Sequence, residues 1–168
     1  VVARPLVTVA LVLALAAGGW FLYGSLWPDE PARVRAAVHA LATTVTDAGQ
    51  AQQGAAQFAA LADLRNQLAD DVTVEAAQRA LLVEGRDQVL ALAARFASAP
   101  TRPALSFVDV TVSLGADGAT AAVSATAEFS ETTAAGQQAF DAQQVELVWV
   151  KPGGTWVLRS ARAIDVLR

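Results

Sequence analysis

Residues 6–26 (LVTVALVLALAAGGWFLYGSL) form a run of 21 positions without a charged side chain, and this run divides the chain before anything else does. As a helix rising about 1.5 Å per residue it would extend roughly 32 Å, the thickness of a bilayer's hydrocarbon layer. Trp20, Tyr23 and Trp27 gather at its end, where amphipathic rings favour the membrane interface, and Pro28, Asp29, Glu30 and Pro31 close it. The expected organisation is a transmembrane anchor over 1–27, a short linker over 28–31 and an extracytoplasmic domain over 32–168. Arg4 and the free amino group favour a cytoplasmic N-terminus in the inner membrane and a periplasmic domain, with Arg33 and Arg35 on the far flank acting against that bias. A cleaved signal peptide competes with the anchor, because Ala14-Leu15-Ala16 follows an apolar run as a processing site does. Cleavage there would leave the apolar AGGWFLYGSLW at the new terminus. Ala10, Ala14 and Gly18 recur every four residues, a seam of small side chains through which the span would pack on an integral-membrane partner.

Charge and residue inventory narrow the chemistry of the rest. Arg4 is the only charge before Asp29, so the remainder carries −5 of a chain whose total is −4. An acidic domain without a basic run lacks the phosphate neutralisation on which nucleic-acid affinity rests. The absence of cysteine excludes disulfides, thiolate catalysis and cysteine-ligated zinc, and the single histidine, His39, excludes a multi-histidine metal site. No metal or cofactor is expected.

Beyond Pro31 the hydrophobic period is first helical. Val34, Val38, Leu41 and Val45 mark one amphipathic helix, loosened from Gly49 onward. Phe58, Leu61, Leu64 and Leu68 mark a second, ending near Asp70. Short strands are expected over 72–75 and 81–84. Gly85-Arg86-Asp87 opens a third helix bearing Val89, Leu92, Ala93 and Phe96, which Pro100 and Pro103 end. The period then falls to two. Val108, Val110, Val112 and Leu114 alternate with polar residues, whereas Leu105 and Phe107 have the opposite parity, which places a bulge near Phe107-Val108. Asp117-Gly118 signals a hairpin leading to a strand with Ala121, Val123, Ala125, Ala127 and Phe129 on one face. After a polar loop over 131–138, strands over 142–150 and 155–166 are joined by Lys151-Pro152-Gly153-Gly154. The reading is an α+β domain, three helices on one face of a curved antiparallel sheet.

This order, with the segments LADDVTVE, GRDQV, VDVTVSLGADGATAAVSATAEF and VELVWVKPGGTWVLRSARAIDV, resembles the nuclear-transport-factor-2-like (cystatin-like cone) superfamily over residues 31–168. With the anchor, it implies a membrane-anchored bacterial member. The resemblance implies a cone of helices against a curved sheet, and one fold that carries many functions. Isomerase-like and cyclase-like members use an Asp or His base and often a Tyr donor in the cone. Here the only tyrosine, Tyr23, lies in the membrane run and His39 on the first helix. Inner-membrane components of type IV secretion systems share the arrangement of short cytoplasmic end, single span and outer domain.

Candidate residues each have a plain structural reading beside the functional one. His39, one position off the apolar stripe, reads as a helix-surface residue before a general base. Asp70-Asp71 reads as a solvated helix end before a cation site. On the last strand Trp156, Leu158, Ser160 and Arg162 share parity, so on a concave face Ser160 and Arg162 would be polar groups within an apolar wall. An odd-length turn sets Glu146 opposite Ser160 and Gln144 opposite Arg162, and a two-residue turn breaks that register. A buried arginine needs a partner, so Arg162 is expected in a structural pair with Glu146, with recognition of a ligand carboxylate as the alternative. Trp149 and Trp156 read as packing anchors. The function expected first is a non-enzymatic accessory or assembly subunit of a membrane complex. The alternatives are a binder of a small apolar ligand in the cone and an isomerase- or cyclase-like enzyme.

Overall fold

The computed structural model describes residues 29–51, 54–76, 81–98, 101–133 and 136–164. The 6–26 run, with Ala10, Ala14, Gly18, Trp20, Tyr23 and Trp27, lies outside them, and no helix among the described residues is long and apolar enough to cross a membrane.

Helix α1 (Glu30–Gln50) carries Glu30 in its first turn, where a carboxylate suits the helix dipole, and buries Val34, Val38, Leu41 and Ala42 along one stripe. Helix α2 (Ala55–Asn66) follows, shorter than its apolar spacing predicts. The extension to Asp70 is replaced by strand β1 (Leu68–Ala76), because the backbone from Leu68 onward is claimed by another strand. Leu64 and Leu68 are both buried in the same core, so their spacing of four mimics a continuing helix although the second lies on a strand. Strand β2 (Leu81–Glu84) pairs antiparallel with β1. Helix α3 (Arg86–Ala97) starts after Gly85, whose φ of 86° a side chain would resist.

Four strands complete the chain: β3 (Arg102–Leu114), β4 (Thr120–Thr132), β5 (Gln138–Val150) and, after a 3₁₀ turn at Pro152–Gly154, β6 (Val157–Ala163). The sheet order is β2-β1-β6-β5-β4-β3. All pairings are antiparallel except β1 with β6, which is parallel and joins the first strand to the last. Pro103, expected to terminate a helix, instead lies inside β3, which tolerates it as an edge strand. The expected bulge falls between Val108 and Thr111, where Asp109 adopts φ 54°.

The core lies between α1 and the inner sheet face. Val34, Val38, Val72 and Trp149 are fully buried, with Leu64, Leu68, Val123, Leu147 and Leu158 around them. Truncating a tryptophan so placed removes about 3–5 kcal/mol. The end of α1 is fixed to β3: the Thr46 hydroxyl donates to the Leu105 carbonyl (3.1 Å) and accepts from the Leu105 N–H (2.9 Å). Gly49 makes that approach possible, since a Cβ there would stand 2.5 Å from Pro103 Cγ and 3.1 Å from the Pro103 carbonyl oxygen.

Two outcomes follow. In an exposed helix Gly→Ala gains about 1 kcal/mol. Gly49→Ala is expected to do the opposite and destabilise by about 1–3 kcal/mol, read as a lower urea midpoint at unchanged slope; a stabilised variant would refute the contact. At the hairpin, the Asp117 carboxylate accepts from the Ala119 and Thr120 N–H groups and the Thr120 hydroxyl, and these bonds hold its pKa below the ordinary 3.8. A depressed carboxylate supports the fold above the unfolded-state value and loses that support as pH falls through the folded-state value. Amide exchange at Ala119 and Thr120, corrected for intrinsic rate, is therefore expected to lose protection only below about pH 4. Protection that is flat across that range would remove the carboxylate from the turn.

Candidate ligand cavity

Helix α3 shows where the domain is not filled. Its stripe of Val89, Leu92, Ala93 and Phe96 has the spacing of a core face, yet only Ala97 of this helix is buried. The stripe borders space: a cavity of about 580 Å³ lies between α3, the end of α1, β1–β2 and the inner face of β3–β6. That volume is in the range of small-molecule sites. From α1 come Leu41, Val45, Ala48 and Gly49; from the sheet, Leu105, Phe107, Ala127, Phe129, Val145, Leu147, Leu158 and Ala161. Alternation explains the set, because residues opposite each other across a ladder share a face. Phe107 pairs with Ala127, Ala127 with Gln143, and Phe129 with both Leu105 and Asp141, all of them on the cavity side.

Among the described residues the lining is apolar except for Glu131, Asp141 and Gln143. Glu131 pairs with Ala139, so the two carboxylates are diagonal neighbours on the inner face. Sequence reasoning missed them because it closed the strand at Phe129 and assigned 131–138 to a loop. Extending the same parity by one step would have placed Glu131 beside Phe129, and counting back from Val145 would have placed Gln143 and Asp141.

The residues expected to form a pocket lie elsewhere. Trp156 is buried in the core. Glu146 faces Arg162 and Val148 faces Ser160, two residues from the register expected, because Trp149 pairs with Leu158, one residue on from the expected partner, and Arg159 is a further extra residue in β6. That irregularity reverses the parity of the strand: Leu158 and Ala161 line the cavity, whereas Ser160 and Arg162 alternate to the opposite face. Arg162 is not buried; its Nε stands 3.5 Å from Glu75 Oε2 on β1, so the structural partner is Glu75 rather than Glu146. His39 is exposed on α1. Asp70 and Asp71 hold Arg86 (2.7 Å) and Arg159 (3.0 Å).

These ion pairs border a second concavity, of about 590 Å³, lined also by Arg65 and Lys151. Its arginines are already engaged, Arg65 with Asp87 at 3.1 Å, and the Lys151 ammonium lies 5.6 Å from the centre of the Trp156 ring. Arg86 also donates from Nε to the Leu68 carbonyl at 3.1 Å. The groups tie α3, β1 and β6 together at the surface, where each pair contributes about 0–1 kcal/mol. Among the described residues no three His, Asp or Glu side chains gather as a metal site.

No family model matches the sequence, and a search of curated proteins finds no match. Solved structures do match. Aln2 from a Streptomyces species aligns with TM-score 0.64 at 16% identity, covering 82% of this chain and 90% of its own. A scytalone dehydratase-like protein from Novosphingobium aromaticivorans aligns with TM-score 0.64 at 10% identity, covering 80% and 83%. The association domain of CaMKII from C. elegans aligns with TM-score 0.57 at 13% identity, covering 79% and 92%. Three helices on a curved six-stranded sheet, matched over most of each of these chains, give this protein the nuclear-transport-factor-2-like fold.

Proposed function

We propose that this chain binds a small, largely apolar molecule in the cone formed by its helices and sheet. The observation that carries this reading is the α3 stripe, which borders an unfilled space of about 580 Å³ and reaches the core cluster only through the partly buried Val89 and Ala93. An apolar helix face left facing a void gives up dispersion contacts and burial, a cost that an apolar occupant would offset. One structural neighbour, the scytalone dehydratase-like protein, is named for action on a small molecule, which supports an occupied cone in this fold. Binding is favoured over isomerase- or cyclase-like catalysis because the polar groups of the lining all lie on one wall, β4–β5. The facing helices contribute no polar side chain to complete an acid–base pair across the cavity.

The 6–26 run would hold this binder at the inner membrane with its domain on the periplasmic side. The accessory-subunit expectation draws on that same run and its small-residue seam, and the cavity does not speak for it.

Full-length chain in nanodiscs is expected to enhance N-phenylnaphthylamine fluorescence beyond empty nanodiscs. Ala93→Trp, which projects an indole into the cavity, is expected to weaken that binding at least tenfold without lowering Tm. Binding unaffected by Ala93→Trp would place the probe elsewhere, and no enhancement by the wild type would end the proposal. For the tether, the intact polypeptide is expected in the membrane fraction, released by detergent and not by high salt. Its recovery uncut from the soluble extract would remove the tether and leave the cavity reading untouched.

A further inference from the structure

We infer that α3 is a hinged wall of the cavity, pivoting near Gly85 so that its last turns close onto a bound molecule. This rests on the ligand-binding reading above and adds how the site closes.

The two ends of α3 are held differently. Its start is tied to β1: the Gly85 N–H donates to the Val72 carbonyl (2.8 Å), and Arg86 donates from Nε to the Leu68 carbonyl (3.1 Å) and pairs with Asp70 at 2.7 Å. Arg65 of α2 reaches Asp87 at 3.1 Å. Val89, Leu90 and Ala93, which pack against the core cluster, all fall before the last turn. Beyond them, no hydrogen bond or ion pair among the described residues leaves the helix for another element. What holds the far end is Ala97, buried in a small cluster with Ala48 of α1 and Ala60 of α2. That cluster joins methyl groups, so little apolar area is exposed when it slides or parts. Leu92 and Phe96 border the cavity without joining the core, and Phe96 is 45% exposed. Apolar side chains so placed gain burial once an occupant lies beneath them. The pivot is a single residue: Gly85 alone links β2 to α3, at φ 86°, and no atom crowds the place of a Cβ. Arg102, where β3 begins, follows Ala97 closely and keeps the swing small. An apolar molecule makes more contacts with the closed wall than with the open one, and that difference in affinity shifts the population.

Pulsed electron paramagnetic resonance measures the swing. The chain has no cysteine, so paired substitutions carry spin labels without background. Gln88→Cys and Arg95→Cys are exposed sites toward the two ends of α3, and Ser124→Cys, exposed on the outer face of β4, is the common reference. At about 1.5 Å per residue position 95 stands roughly 15 Å from the pivot, so a swing of about 15° carries it about 4 Å and position 88 about 1 Å. In full-length chain in nanodiscs, N-phenylnaphthylamine is expected to shorten and narrow the distance between positions 95 and 124 by that amount. The distance between 88 and 124 is expected to stay nearly constant. In the Ala93→Trp background the probe is expected to change neither distance. Bound probe with both distances unchanged would make α3 a fixed wall and end the inference. Equal shifts at the two positions would move the helix as a body and remove the pivot, and a shift that survives Ala93→Trp would arise outside the cavity. If the probe does not bind the wild type at all, the ligand-binding reading falls and the hinge with it.

Discussion

The parallel pairing of β1 with β6 is the contact through which the rest of the domain becomes one body. It joins the segment leaving α2 to the final strand, with the Leu158 N–H donating to the Gln67 carbonyl at 2.8 Å and Leu68 in register with Leu158. Without it the β3–β6 strands would be a meander with one apolar face and the helices would have no fixed place against it. With it, the β1–β2 hairpin extends the sheet past β6, and α3, whose first residue follows β2 by a single glycine, is brought over the inner face. Gln67 reinforces the joint from the helical side by donating from Nε2 to the Thr44 hydroxyl at 2.7 Å. Contacts so distant in sequence carry a high loop-closure cost, which the burial of Leu64, Leu68 and Leu158 in a shared cluster offsets.

The same closure explains why the interior is solid at one end and hollow at the other. Toward the β5–β6 turn the inner face carries Trp149, Val123 and Ala121, which share one buried cluster with Val34 and Val38 and do not border the cavity. Toward the opposite end the facing positions are small: Ala48, Ala76, Ala93, Ala97, Ala127, Ala139 and Ala161 all border the cavity. Alanine in such a chain reads as compositional bias, and on the helices it also serves propensity. Here these short side chains stand on several walls of one space and leave its volume open. The aromatic residues that border it, Phe96, Phe107, Phe129 and Phe140, shape the walls without closing them.

Much of this was legible in the sequence, and the failures have physical causes. Periodicity located all three helices, and the change of period located the sheet and its hairpin, because each element has one apolar face. The segment at Leu68 was misread because a buried residue following a buried helix keeps helical spacing by coincidence. The face on which Arg162 lies was misread because strand parity holds only while the ladder is regular, and a single extra residue at Arg159 inverted everything after it. Parallel pairing leaves no local signal at all, so Glu75, which lies in register with Arg162 only through β1–β6, could not be found. Nor does a sequence distinguish a stripe that packs from a stripe that lines a void, which is why α3 gave the right face and not its meaning.

Strand β3 closes the sheet on one side, and an open edge of 13 residues is a surface on which another chain's strand could add. Three features already described break that template. Pro103 presents no amide proton, Thr46 occupies both polar groups of Leu105, and the left-handed turn at Asp109 tilts the backbone out of line. What remains between these interruptions is too short to nucleate a cross-β ladder. A protein with so apolar a composition thereby keeps its longest exposed edge from becoming a seed for fibrils.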